Sequence, residues 1–476
     1  MKKAAQLFLT FVFSNQFGSF GQNCSTMNLT ERAEVGSVCS EMVLTTMHDA
    51  NGLPYLYVAN KEGGLRIYDI NNISSPQPVA QVAVSQLGSL HVMNVFQRGN
   101  YLYLSLGNSF TNPQAAGLAI VDVSNPGSPV VTDFYQVPGT SSGSGMTYVE
   151  GDFAYLCAMR SGLVILNIAD VHDIQAVSSY MPDINYPYNN PPNPNFYNAR
   201  CVEVKNGIAY LCFDAGGFRV INCVNPQSPA ETGHFANPLL YFPFNLTRAY
   251  NNLVIDDSLA YVTVDYCGVE VLDIHDTSSI NLIGWWNPQN CPNNNWFTSP
   301  VHTNELRLNK VCSQLYVSSG KSDFYVLDMS TPNNPDSCNY FGDVADTAGT
   351  WGVNYYSDQI YLSYVCTFGI PFTATYTGFK ILQYTPCVNN VGYTEPNSSL
   401  EVFPLPATNQ INFVCRQIYN TFHLTDLFGK TVTMQIDCDP GTMKGKIDSQ
   451  ALPAGVYFLN ATGTGGTAVA RVLIAK

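Results

Sequence analysis

The sequence predicts an all-β chain: a seven-bladed β-propeller followed by a small C-terminal β-sandwich. Three observations lead there. A short apolar phrase recurs seven times, as GLRIYD at Gly64, GLAIVD at Gly117, GLVILN at Gly162, GFRVIN at Gly217, GVEVLD at Gly268, DFYVLD at Asp323 and GFKILQ at Gly378. Successive starts lie 53, 45, 55, 51, 55 and 55 residues apart. Around each phrase stand three further short apolar runs separated by turn residues, with almost no helical periodicity. From Ser398 the rhythm breaks, and alternating runs around Gly/Pro turns suggest a separate small sandwich.

Taken in order, each repeat begins with a run such as HVMNVF, CVEVK or LVIDD. A second run follows (YLYVA, YLYLSL, AYLCF), then the phrase, then a Ser/Pro loop and a fourth run such as PVVTDFY. Four strands in about 50 residues make one propeller blade, because a single such sheet leaves both faces wet until neighbours cover them. The ring needs a fourth strand for its last blade. AEVGSV (Ala33 to Val38) precedes the first blade as other outer strands precede theirs, which favours an N-terminal clasp over NNVGY (Asn389 to Tyr393).

Composition narrows the setting. Charged residues are only 12% of the 476, about half the usual quarter. Thirty-five acids against 21 bases leave a net charge of −14, which argues against nucleic acid as a partner. The opening MKKAAQLFLTFVFSNQFGSFGQ has the two lysines, the apolar segment and the small-residue cleavage site of a signal peptide, residues 1–21. Its apolar part is too short to span a bilayer, and no transmembrane segment is expected in the mature chain.

Fourteen cysteines suit an oxidising compartment, and none has CxxC spacing. They fall as sequence neighbours: Cys24/Cys39, Cys267/Cys291, Cys312/Cys338, Cys366/Cys387 and Cys415/Cys438. Asn206-Gly207 sets a two-residue hairpin whose register places Cys201 opposite Cys212. That pair is either a bridge or two buried thiols.

The phrases GLRIYDI, GLAIVDV, GLVILNI and GVEVLDI closely resemble LVIVD repeats, a family of secreted bacterial propellers, over roughly residues 41 to 384. The tail resembles the C-terminal sorting domain of type IX secretion substrates of Bacteroidetes. Its landmarks are Pro404-Leu405-Pro406, Asp426-Leu427-Phe428-Gly429-Lys430 and Leu452-Pro453-Ala454-Gly455-Val456-Tyr457, with Leu405 where that family usually has Asn. The resemblance implies export across the outer membrane by the type IX machinery, removal of the tail, and release or attachment at the cell surface. The expected organisation is a signal peptide (1–21), a propeller (22–384), a linker (385–397) and a sorting domain (398–476).

No linear catalytic motif and no local metal box appears. The acids that close the phrases (Asp69, Asp122, Asp273, Asp328) give way to Asn167, Asn222 and Gln383 in other repeats, the behaviour of turn caps. Candidate ligand-binding residues sit where innermost strands begin, near one mouth of the central channel: His91, Arg200, Arg248, Asn251, His302 and Trp351. Three long connections on the same face, 181–200, 236–250 and 287–304, add Tyr197, Tyr241 and Trp296 among many asparagines. Aromatic faces with amides suit a glycan or an extended peptide. The chain therefore reads as a secreted or surface binding module that needs no cofactor. The alternative is an extracellular hydrolase or lyase with Ca²⁺ held by Asn and Asp oxygens at the channel mouth.

Overall fold

In a computed structural model the chain is described over residues 27–39, 41–187, 193–241, 249–291, 299–369, 371–385, 400–403, 407–415, 419–426, 430–432, 436–439, 443–463 and 466–474. It divides into two compact units, Met1–Val388 and Asn389–Lys476. The signal-peptide segment 1–21 and most of the linker lie outside the described residues.

The first unit holds seven four-stranded antiparallel sheets among the described residues. Their first strands are Thr45–His48, Val92–Arg98, Thr147–Glu150, Cys201–Lys205, Tyr250–Asp256, Leu306–Asn309 and Thr350–Tyr356. Each of these touches the next, and Thr350–Tyr356 returns to Thr45–His48, so the series is cyclic. All seven phrases form third strands, from Gly64–Asp69 to Tyr376–Tyr384. The ring closes on the N-terminal clasp: Leu29–Val38 pairs antiparallel with Tyr376–Tyr384, Val35 opposite Phe379. The rival NNVGY lies outside the described residues.

The period-2 pattern explains the core. Consecutive strand residues point to opposite faces, so Tyr57 packs toward the second sheet while Leu56 and Val58 pack toward the seventh. Likewise Leu104 faces the first sheet and Tyr103 the third. The propeller core is thus a set of inter-sheet layers, each built from two neighbouring sheets. Both faces of every sheet find apolar cover only when the ring is complete.

Side chains stitch adjacent turns at the far end of the channel. Ala50 N–H donates to Gln97 Oε1 at 2.7 Å, and Glu150 takes the N–H groups of Asn206 and Gly207 at 2.7 and 2.8 Å. Lys310 pairs with Asp256, and His48 N–H reaches Asn354 Oδ1 at 3.2 Å. The phrase-ending acids and amides accept a backbone N–H two residues on, at 2.7–3.0 Å, in six of the seven sheets. Local hydrogen bonds to Ser124 hold Asp122 below the usual carboxylate range. Gln383, at the clasped sheet, instead donates to Asp358 at 2.7 Å.

Phrase glycines have a backbone reason. Gly217 and Gly268 sit at φ 79° and 81°, and a Cβ there would lie 2.3 and 1.9 Å from the carbonyl oxygens of Phe235 and Trp286.

The disulfides correct the neighbour pairing. Cys39 bonds Cys366, in place of the expected Cys24/Cys39 and Cys366/Cys387 pairs. The clasp strand is the cause: it sets Cys39 N–H on Thr375 O, beside the loop that holds Cys366. Cys267–Cys291 forms as sequence proximity suggests. Cys312 and Cys338 are each disulfide-bonded. Cys201 and Cys212 face each other in the expected register, with Lys205 opposite Ile208, yet stay as buried thiols. Cys387, and the side chain of Cys438 opposite which Cys415 was expected, lie outside the described residues.

Among the described residues the second unit holds two four-stranded sheets. Ile411, Phe413 and Ile447 of one pack with Leu424, Leu459 and Val472 of the other. This is a β-sandwich.

Candidate functional site

Three places before most phrases, the chain leaves its second strand through a left-handed residue: Lys61, Met159, Asp214, Asp265 and Gly320. Lys61, Met159, Asp214 and Gly320 each form a bridge to the next sheet, and the Asp265 carbonyl accepts Thr303 N–H at 2.6 Å. The turn that links one sheet to the next therefore also sets a side chain at the channel mouth. Met159, Asp214 and Asp265 line a funnel there of about 600 Å³. Below it the channel narrows to about 70 Å³, and Phe110, Arg200, Asn251, Asn304 and Trp351 line both parts.

Each acid on the funnel wall has a basic partner. Asp214 Oδ2 accepts Asn198 Nδ2 at 2.7 Å and Arg200 Nε and Nη2 at 3.2 and 3.1 Å. Burial pushes the Asp214 carboxyl above its ordinary value, Arg200 and Asn198 pull it back, and the charge of Asp265 adds to the rise. Two carboxylates thus share this wall, the feature an enzyme would show. Asp265, however, is taken by His302 Nε2 at 2.5 Å. His302 Nδ1 is buried with no hydrogen-bond partner among the described residues. Its ring is enclosed by Tyr266, Phe372 and Trp351, with centroids 4.8, 5.6 and 6.4 Å away. Neither nitrogen is offered to the funnel, so the imidazole serves as a fixed strut.

Deeper in the channel, Glu305 is buried and reaches across to the first sheet, accepting from Thr45 Oγ1 at 3.2 Å. Asn94 Nδ2 donates to the same hydroxyl at 3.0 Å. Burial raises the Glu305 carboxyl, against the pull of Arg307. Among the described residues, no group of three or more His, Cys, Asp or Glu side chains is arranged to hold a metal ion.

Of the residues singled out in the sequence, Arg200, Asn251, His302 and Trp351 meet at this funnel. His91 does not line it: its N–H is held by Gln114 Oε1 at 3.0 Å, and burial followed by Lys61 lowers its pKa. Tyr197 and Tyr241 are corrected to core residues, 1% and 0% exposed, with the Tyr241 hydroxyl donating to Ala215 O. They anchor the long connections from beneath. Phe196, half exposed, is the ring of the first connection that faces the funnel. Arg248 and Trp296 lie outside the described residues. Asp214, Asp265, Phe110 and Glu305 escaped the sequence reading; the fixed offset before the phrase would have found the first two.

Residues 54–84 and 91–137 match the LVIVD repeat model, and residues 401–475 match the model of the secretion system C-terminal sorting domain. No curated protein sequence matches. Among solved structures, the RRP9 WD40 repeats align with a TM-score of 0.52 at 10% identity, over 75% of this chain and 100% of that one. U3-55K aligns with a TM-score of 0.50 at 10% identity, over 75% of this chain and 98% of that one. At such identity the likeness is one of fold. Among the described residues no helix is long and apolar enough to cross a membrane. The sorting domain addresses the protein to the type IX machinery and so to the outer surface or the extracellular space. The chain is therefore a secreted β-propeller protein that carries LVIVD repeats and ends in a secretion system C-terminal sorting domain.

Proposed function

We propose that the protein is an extracellular binding module that takes a glycan in the channel-mouth funnel, delivered there by a tail that is then removed. One observation carries this reading. The acids and the histidine of the wall are each engaged by another protein group, so what the funnel offers a ligand is aromatic surface, amides and the guanidinium groups of Arg160 and Arg200. Phe110, Phe196 and Trp351 offer faces for sugar rings, and Asn195, Asn251 and Asn304 offer amide donors and acceptors for hydroxyls. A hydrolase or lyase would need a proton-transfer group with a free nitrogen or oxygen in reach of substrate. The residues 1–21 act in this reading as the signal peptide, and cleavage falls in the linker 385–397.

The test is glycan-array binding by the full-length protein, with and without Ca²⁺, followed by titration of the best oligosaccharide. Trp351→Ala is expected to weaken binding at least tenfold while the fold, read by circular dichroism, is kept. Unchanged affinity in Trp351→Ala, or turnover of the oligosaccharide, would overturn the proposal.

A further inference from the structure

Two guanidinium groups on the funnel wall, Arg160 and Arg200, keep donor capacity that the acids of the wall do not take up. Asp214 is matched by Arg200, and Asp265 by His302. Arg160 also lines the funnel, yet among the described residues its guanidinium has only the neutral Asn195 Oδ1, 2.5 Å from Nη1. Arg200 is itself only partly used. Its Nε and Nη2 both turn to the single oxygen Asp214 Oδ2, which leaves Nη1 with no partner among the described residues. The Arg200 side chain is 30% exposed and lines both the funnel and the channel beneath. Among the described residues, a guanidinium with no acid partner and one with an unused nitrogen stand on one wall of a chain whose net charge is −14.

A guanidinium edge matches the two oxygens of a carboxylate, at N–O spacings a hydroxyl pair does not reproduce. We infer that the glycan bound in the funnel carries a carboxylate: a uronic acid residue whose carboxyl group lies against Arg200 Nη1 and Arg160 while its ring rests on the Trp351 side of the funnel. This rests on the glycan reading above and adds the charge class of the sugar. Long-range repulsion from the acidic surface is screened within about 8 Å at physiological salt, so the local pair decides.

The experiment titrates the full-length protein with tetramers of galacturonate, glucuronate and mannuronate, the methyl ester of each, and neutral tetramers of glucose and xylose. Sulfated tetramers and a Glu-rich peptide are added as competing anions. At least one free uronate is expected to bind tenfold or more tighter than its methyl ester. Arg160→Gln should cut that ratio to below threefold. Equal affinity for acid and ester, or preference for a neutral sugar, with Trp351→Ala abolishing both, overturns the inference and leaves the glycan reading standing. Preference for the sulfated sugar or the peptide also overturns it. No binding of any saccharide overturns both.

Discussion

His302 Nε2 and Asp265 Oδ1 lie 2.5 Å apart, although Asp265 closes the second strand of one sheet and His302 precedes the first strand of the next. The pair is reinforced by the backbone, since Thr303 N–H and Oγ1 both donate to the Asp265 carbonyl, at 2.6 and 2.8 Å. A junction between sheets and a wall of the funnel are therefore one structure. Asp265→Ala would leave both imidazole nitrogens buried without partners, at a cost of about 1–3 kcal/mol. Thermal unfolding should show that loss, together with a change in near-UV dichroism from Trp351. Asp265→Asn keeps an acceptor for Nε2–H and should recover most of it. Equal stability of the Ala variant would mean that the pair is not what holds the wall.

Glu270 occupies the third place of its phrase and is fully buried. It accepts Asn237 Nδ2 at 2.7 Å and Tyr250 Oη at 2.9 Å, and burial pushes its pKa up to about 7. The folded state thus holds this proton more tightly than the unfolded chain. Stability from this group is whole below the unfolded value near 4.5 and falls as pH rises toward 7, by up to about 3 kcal/mol. Glu270→Gln removes the titration, and the Tyr250 hydroxyl can turn to accept from the new amide. Chemical unfolding at pH 5 and pH 8 should show a smaller difference in the variant than in the parent. The same slope in both would sink the assignment.

What the sequence disclosed and what it withheld separate by range. The phrase, its turn caps and the Asn206-Gly207 hairpin are local, so strand order, the six Asx-type turns and the Cys201–Cys212 register were all legible. The cyclic order made the starts of first strands converge, which found Arg200, Asn251, His302 and Trp351. Three-dimensional partners were not legible. Cys366 chose Cys39, 327 residues away, because clasp pairing outranks proximity in sequence. Tyr197 and Tyr241 look like loop aromatics on paper, but only packing decides whether such a ring faces ligand or core. The acids of the funnel hid in a slot filled elsewhere by Lys61, Met159 and Gly320, so no residue type marks it.

One repeat breaks the glycine rule. Asp323 holds the phrase-opening slot at φ 47°, and its Cβ would press on any Cβ at Gly342, 2.5 Å away. Burial, and then Asp346, raise its carboxyl to about 8 despite Lys380 and Lys321. A left-handed non-glycine residue costs about 1–2 kcal/mol, and this one also buries a carboxyl group. Asp323→Gly should therefore stabilise the propeller by about 1–2 kcal/mol. The gain should be larger at pH 8 than at pH 5, because the raised carboxyl penalises the folded state more as pH climbs from its unfolded value toward 8. Differential scanning calorimetry at both pH values is the measurement. A lower midpoint in the glycine variant would show that the Asp323 side chain contributes contacts outweighing its strain.

Ring closure depends on one strand held at two ends. Leu29–Val38 is the fourth strand of the last sheet, and the Cys39–Cys366 bond follows it directly. Ala33 and Val35 of that strand cover the layer of Val43, Leu56, Phe379 and Ile381, which joins the last sheet to the first. Releasing the strand exposes that layer, and the cyclic cover of every other sheet then has a free end. A bond closing so long a loop restricts the unfolded chain and is worth about 5 kcal/mol by chain entropy. Cys39→Ser with Cys366→Ser should lower the unfolding midpoint and open the segment 27–38 to proteolysis before any other part of the propeller is cut. Reduction of the parent protein should lower the midpoint at least as far, because Cys267–Cys291 and the bonds of Cys312 and Cys338 are cut as well. If the double variant instead unfolds at the parental midpoint and resists protease equally, strand pairing alone holds the ring shut and the disulfide is dispensable.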